Sequence, residues 1–200
     1  MTVYHIRPKP HGINRESDFL KGRVSIGWPC GQDLRGLSRD GLQQALAQEY
    51  PEINAHNLSQ VEQFLHIEVG SIVLSPSESN VESMHLFRTV ESPQYDMNRD
   101  NSKEGNPHGV AVEHIMTVKK SLLPPGVLRS LKGARKTVCN FSKHASAMDE
   151  FLEVAEHISE EPVTAEFELQ NKVRNTLIQA LDSENEVVRV QAAAALYQSA

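Results

Sequence analysis

Val69-Gly70-Ser71-Ile72-Val73-Leu74-Ser75, followed at once by Pro76, is the stretch on which the fold turns. It is apolar, rich in β-branched residues and stopped by proline, so it reads as a buried strand. Upstream, residues 3–7 alternate weakly, with Val3, His5 and Arg7 opposing Tyr4 and Ile6. Pro8 and Pro10 stop that run, which predicts a short edge strand. A second strand is expected over 23–28, ended by Gly27 and Pro29. Downstream, residues 84–90 and 137–141 read as strands. So do residues 110–119, which alternate through Val110, Val112, His114, Met116 and Val118. Between them, 92–109 is rich in Asn, Asp, Pro, Ser and Gly and reads as a long loop.

Small helices interrupt the strands. Ser38 is placed to cap a helix over 39–50, where Leu42, Leu46 and Tyr50 make one buried stripe and Pro51 closes it. Ser59 is placed to cap a shorter helix over 60–66, with Val61, Phe64 and Leu65 facing inward. Pro124-Pro125 opens another through 127–131. Amphipathic helices follow over 149–158 and 165–181, separated by Pro162, and an Ala-rich one over Glu186–Gln198. The pattern is of the α+β class: a partly open β-barrel with short helices over 1–145, followed by a C-terminal α-helical tail over 146–200. Residues 177–196 look like one HEAT-type helical pair. A single repeat cannot bury its own face, so a plain two-helix hairpin is the expected form.

The net charge of −6 conceals a division. Residues 1–145 hold 17 Lys/Arg against 15 Asp/Glu, whereas 146–200 hold 3 against 11. The acidity belongs to the tail, and the barrel carries a small positive excess. No apolar run reaches the roughly 20 residues of a membrane span. The opening Met-Thr-Val-Tyr-His-Ile-Arg lacks the apolar core of a signal peptide. Two cysteines, Cys30 and Cys139, are too few for a disulfide scaffold or a thiolate-built zinc site. A cytoplasmic address is the expectation.

No enzyme motif emerges. There is no phosphate loop and no nucleophile elbow. His66-Ile67-Glu68 imitates the H-x-E of zinc deaminases, but no P-C-x-x-C follows. No Asp or Glu has Lys two positions later, as a restriction-type nuclease would require; Glu168-Leu169-Gln170 comes nearest, and it reads as solvated helix surface. The nine histidines are scattered, and none pairs at i, i+4 on a helix as zinc ligands would. No catalytic group, metal or cofactor is therefore assigned.

The positive signal is a charge run. Between Val118 and His144 lie Lys119, Lys120, Arg129, Lys132, Arg135, Lys136 and Lys143, with no Asp or Glu. Such a run gives a local field able to neutralise phosphates; a solvated face paired to the acidic tail is the alternative. Aromatic residues supply a second signal. Trp28 sits at a strand end and Tyr95 at a loop start, where flat rings can stack on an unpaired base or close the core. For Phe64, on a short helix, core packing is the favoured reading.

In order along the chain, these segments resemble a family. Val24-Ser-Ile-Gly-Trp28 followed by Asp33-Leu-Arg-Gly-Leu-Ser38 is similar to the "IGW…DLS" opening of the PUA-like, EVE-related domain at the N-terminus of Mrr-type restriction proteins. Tyr50-Pro51 and Gln63-Phe64 come next, then Val69 to Ser77 in place of a "GDLVVTPS" strand. After the loop holding Tyr95, His108 to Ile115 stands where the family runs "HRRKVKW", and Leu128 to Val138 resembles its "LRNSLGSxxTV" close. Ser71 replaces an acidic residue, and Gly109-Val110 replaces an Arg pair.

The resemblance implies a small barrel whose pocket accepts a flipped, often modified, nucleobase. By position, Trp28 would line that pocket, with Ser75 and Pro76 in its wall, Tyr95 on the covering loop and Phe64 beside it. Lys119, Lys120, Arg129, Lys132, Arg135 and Lys136 would hold phosphates. The expected function is non-catalytic recognition of modified DNA in restriction or anti-phage defence, with DNA favoured over RNA. Two other readings stand beside it. One is an adaptor whose tail, 146–200, binds a protein partner; the other is a reader of modified RNA.

Overall fold

A computed structural model describes residues 1–160, 176, 180, 181 and 185–198. In chain order the elements are β1 (Val3–Ile6), α1 (Glu16–Leu20), β2 (Arg23–Ile26), α2 (Arg39–Ala47), α3 (Ala55–Leu65), β3 (Ile72–Pro76), β4 (Ser83–Thr89), β5 (Gln94–Tyr95), β6 (His108–Lys119), α4 (Pro125–Gly133), β7 (Val138–Asn140), α5 (Ala145–Glu160) and α6 (Glu186–Gln198). Short 3-10 turns join several of them. The chain divides into two compact units, Met1–Phe151 and Leu152–Ala200. The first is mixed α+β, with its sheet curled into a half-barrel.

The sheet runs β2-β6-β4-β3-β1-β7, and the two-residue β5 pairs with β6 off that path. Only β1 and β3 pair in parallel. β6 serves two stretches of the sheet. His108 to Ala111 pair with β2, and Val112 to Lys119 pair with β4. Leu86 opposes Met116 while Phe87 opposes His114, so Ile115 is an extra residue that bulges and bends the strand. The bulge also ends the expected alternation: His114 opposes Phe87 on the face of Val110 and Val112, whereas Met116 opposes Leu86 on the other face.

Each face of the sheet has its own buried set, as a period of two requires. On one face Tyr4, Ile6, Val24, Ile26, Val73, Phe87 and Val110 join Phe19 of α1, Leu42 and Leu46 of α2, and Val61 and Phe64 of α3 in one apolar cluster. Val3, Ile72, Leu74, Met84 and Leu86 alternate with these and are equally buried, but lie outside that cluster. They belong to the face carrying α4, whose Val127 is fully buried.

Several expectations are corrected. The strand expected at a sheet edge, β1, is interior, between β3 and β7, and all four of its residues are buried. Pro8 and Pro10 lie beyond its end and remove no ladder donor, and burial on both faces is why its alternation is weak. Ser59 does not cap α3. The helix starts a turn earlier, with Asn54 Oδ1 accepting from the backbone N–H of His56 (3.0 Å) and Asn57 (3.1 Å). Ser38 does cap α2, accepting from the Gly41 N–H at 3.2 Å, but that helix stops at Ala47 rather than at Tyr50. The long loop contains β5 and a 3-10 turn over Met97–Arg99. The expected helix over 165–181 lies outside the described residues, save for residues 176, 180 and 181. The first half of the expected 177–196 hairpin lies largely outside them too.

Candidate functional site

Helix α4 owes its start to Pro124-Pro125, whose fixed φ suits a first turn, and its apolar side to Val127, Leu128 and Leu131. Its polar residues then flank two cavities. One, about 740 Å³, lies between α4 and the sheet face that carries His5. Pro76, Met84, Leu128 and Leu131 make its apolar lining, and Arg7, Lys120, Lys132 and Arg135 supply its charge. The other, about 610 Å³, is lined by Arg129, Ser130, Asn140, Phe141, Lys143 and His144 among others. The two share Ala134, and among the described residues neither has a carboxylate in its lining. Among the described residues, Arg7, Arg129, Lys132, Arg135 and Lys143 make no ion pair.

His5 is 4% exposed, and its ring stacks on Phe141 with centroids 5.7 Å apart. Nδ1 of His5 has no hydrogen-bond partner in the protein. Burial, reinforced by the charges of Arg7 and Lys120, pushes its pKa down to about 4, so the ring is neutral at pH 7.

Trp28 follows β2 and lines a different cavity of about 240 Å³, with Lys9, His11, Tyr50 and Thr137 among its neighbours. Trp28 (φ 68°) and His11 (φ 50°) are the non-glycine residues in the left-handed region among those described. Such strain in a bulky residue costs of order 1–3 kcal/mol and persists only where the surroundings impose it. Gly27 shows how it is imposed: a Cβ there would lie 2.7 Å from the backbone nitrogen of His11. Tyr50 donates its hydroxyl to the Pro29 carbonyl at 3.0 Å, and His11 and Tyr50 also line a neighbouring cavity of about 400 Å³ with Asp100. The Trp28 cavity and the basic groove share no lining residue; a backbone hydrogen bond from the Arg7 N–H to the Thr137 carbonyl, 2.9 Å, ties a residue of one to a residue of the other.

The other expected pocket residues do not converge on Trp28. Phe64 is 0% exposed inside the apolar cluster, so no ligand from solvent reaches it without unpacking the core. Ser75 and Pro76 are neighbours on a strand and face opposite ways: Pro76 lines the basic groove, and Ser75 Oγ is buried without a partner. The Tyr95 ring lies 5.2 Å from that of His108, and its hydroxyl donates to Asp100 at 2.8 Å. Burial, with that carboxylate, raises the Tyr95 pKa to about 12. Of the six expected phosphate ligands, Lys120, Lys132 and Arg135 share one cavity and Arg129 lines the other, while Lys119 and Lys136 line neither. Arg7 joins them unforeseen, because pairing of β1 with β7 brings residue 7 beside residue 137.

Sequence reading also missed a polar chain on the opposite side of the sheet. The Glu16 carboxylate accepts from Ser77 Oγ (2.5 Å), the Ser79 N–H (3.2 Å) and His85 Nε2 (2.8 Å). His85 Nδ1 lies 2.8 Å from Thr117 Oγ1, which lies 3.0 Å from His114 Nε2. With Nε2 donating to Glu16, a neutral His85 accepts at Nδ1, giving a carboxylate–imidazole–hydroxyl sequence. None of the four cavities described above includes any of these residues. Glu16, His85 and Thr117 come from α1, β4 and β6, and no local motif links them. Among the described residues, no group of three or more His, Cys, Asp or Glu is placed to hold a metal ion, and no helix is long and apolar enough to cross a membrane.

A scan against known protein families finds no match to this chain, and a search of the curated proteins finds none either.

Proposed function

We propose that the chain is a non-catalytic reader of modified nucleobases in DNA, with a PUA-like barrel serving restriction or anti-phage defence. The observation that carries this reading is the basic lining of the two cavities beside α4, which has no carboxylate among the described residues. Arg7, Arg129, Lys132, Arg135 and Lys143, which make no ion pair among the described residues, and Lys120, whose Nζ donates to the Val81 carbonyl, would hold phosphates without regard to sequence. The strained Trp28 would discriminate the extruded base. Extrusion costs a few kcal/mol, which stacking of about 1–3 kcal/mol and the phosphate contacts offset.

The test is a mobility-shift titration of the full chain at low salt with matched oligonucleotides, bearing modified and unmodified bases, as DNA and as RNA. Trp28→Ala should lower the preference for the modified base more than it lowers affinity. Absence of binding to every oligonucleotide removes the reading, and preference for modified RNA replaces it with RNA recognition. A second reading, an adaptor with a partner-binding tail, is favoured by the exposed valines of α6: Val187 at 61% and Val190 at 62%. Deletion of 161–200, which leaves α5 whole, separates the two. A tail that masks the basic surface raises DNA affinity when removed, and a tail that serves another partner leaves it unchanged.

A further inference from the structure

The groove under α4 has a makeup that backbone phosphates alone do not require. A phosphate-binding surface needs cations and backbone N–H groups, and this one also has an apolar lining from Pro76, Met84, Leu128 and Leu131. Its volume, about 740 Å³, falls within the range of small-molecule sites. His5 adds a neutral, flat, buried ring with an unpartnered nitrogen, held in place by stacking on Phe141. A buried polar atom without a partner is unfavourable unless something supplies one.

We infer that this groove binds a free nucleotide: the base against Met84, Leu131 and His5, and the phosphates on Arg7, Lys120, Lys132 and Arg135. The four cations, without a carboxylate among the described lining residues, match the several negative charges of a nucleoside diphosphate. The neutral imidazole offers hydrogen bonding and stacking without adding charge, which suits a base. A long acyl chain fits less well, because the volume is that of a nucleotide-sized ligand and the residues at the rim are charged. The Trp28 cavity lacks these features. It is about a third of the size, and its one Lys, Lys9, is paired to Glu78.

This inference stands apart from the reading of DNA. Retention of nucleotide binding by a chain that binds no oligonucleotide would remove only the latter.

The experiment is calorimetric titration of the full chain with ADP and, separately, with inorganic pyrophosphate. ADP should bind at least about tenfold more tightly than pyrophosphate, since only ADP uses the apolar lining. Lys132→Glu combined with Arg135→Glu, both at exposed positions, should weaken both probes by at least about tenfold. His5→Phe keeps the buried ring and removes its nitrogens. It should weaken ADP by about fivefold and leave pyrophosphate unchanged. Equal affinity for the two probes would reduce the groove to an anion-binding patch and overturn the inference. So would no binding of ADP up to about 1 mM.

Discussion

The backbone N–H of Leu34 donates to Nε2 of His108 across 3.1 Å, in a setting where His108 is 0% exposed and Leu34 is 1% exposed. Because Nε2 is the acceptor, a neutral His108 carries its proton on Nδ1. One imidazole thereby ties the connection before α2 to the start of β6, and also supports the Tyr95 ring. His108→Ala removes that acceptor and opens a cavity, and should destabilise the protein by about 2–4 kcal/mol in urea unfolding. A loss below about 0.5 kcal/mol would mean that the link is not a strut.

Two buried histidines set a pH dependence. Burial lowers the pKa of His5 to about 4, and burial also lowers that of His108 against the opposing pull of Asp33. A histidine whose folded pKa lies below its unfolded value binds more protons when unfolded. Its contribution is therefore complete above pH ~6.5 and is lost as pH falls. Unfolding free energy should decline between pH ~6.5 and ~4, by about 3 kcal/mol from His5 alone. His5→Phe should flatten that decline in a series of urea titrations across this window.

Glu16 acts at lower pH. Burial alone would raise its pKa, but hydrogen bonds from Ser77, His85 and the 78–79 peptide outweigh burial and hold it below the ordinary carboxylate value. Its stabilisation is present above the unfolded pKa of ~4.5 and is lost as pH falls through the lowered folded value. Glu16→Gln should cost about 1–3 kcal/mol at pH 7 and show a weaker acid transition than the parent. Identical acid transitions in thermal melts would contradict this role.

The strained pair His11 and Trp28 should tolerate no added bulk between them. Gly27→Ala places a Cβ 2.7 Å from the His11 nitrogen. The backbone must shift, at an expected cost of about 1–3 kcal/mol. Near-ultraviolet circular dichroism of Trp28 should change along with stability. An unchanged spectrum would show that the left-handed turn does not depend on this close approach.

Salt dependence tests the basic surface. If six cations contact DNA phosphates, log affinity should fall against log salt with a slope of about −4 to −5. Arg129→Glu or Lys143→Glu should each reduce that slope by about 1–2 while preserving any preference for the modified base. A slope near zero would dissociate the cations around α4 from nucleic acid.

Much of this architecture follows from local chemistry alone. Within the apolar run 69–75 a strand does form, but β3 begins at Ile72 and takes in Pro76, leaving Val69 60% exposed; Ser38 caps α2, the double proline opens α4, and Glu186–Gln198 is a helix, because propensity, capping and proline act within a few residues. The charge run over 118–144 was equally legible, since a stretch without carboxylates is a property of sequence. Tertiary structure decided the rest. Strand order made β1 interior and added Arg7 to the groove. It also brought His5 beneath α4, and Glu16, His85 and Thr117 into one chain of hydrogen bonds. Each of these depends on contacts between residues from about 30 to 130 positions apart, and periodicity carries no information over such separations.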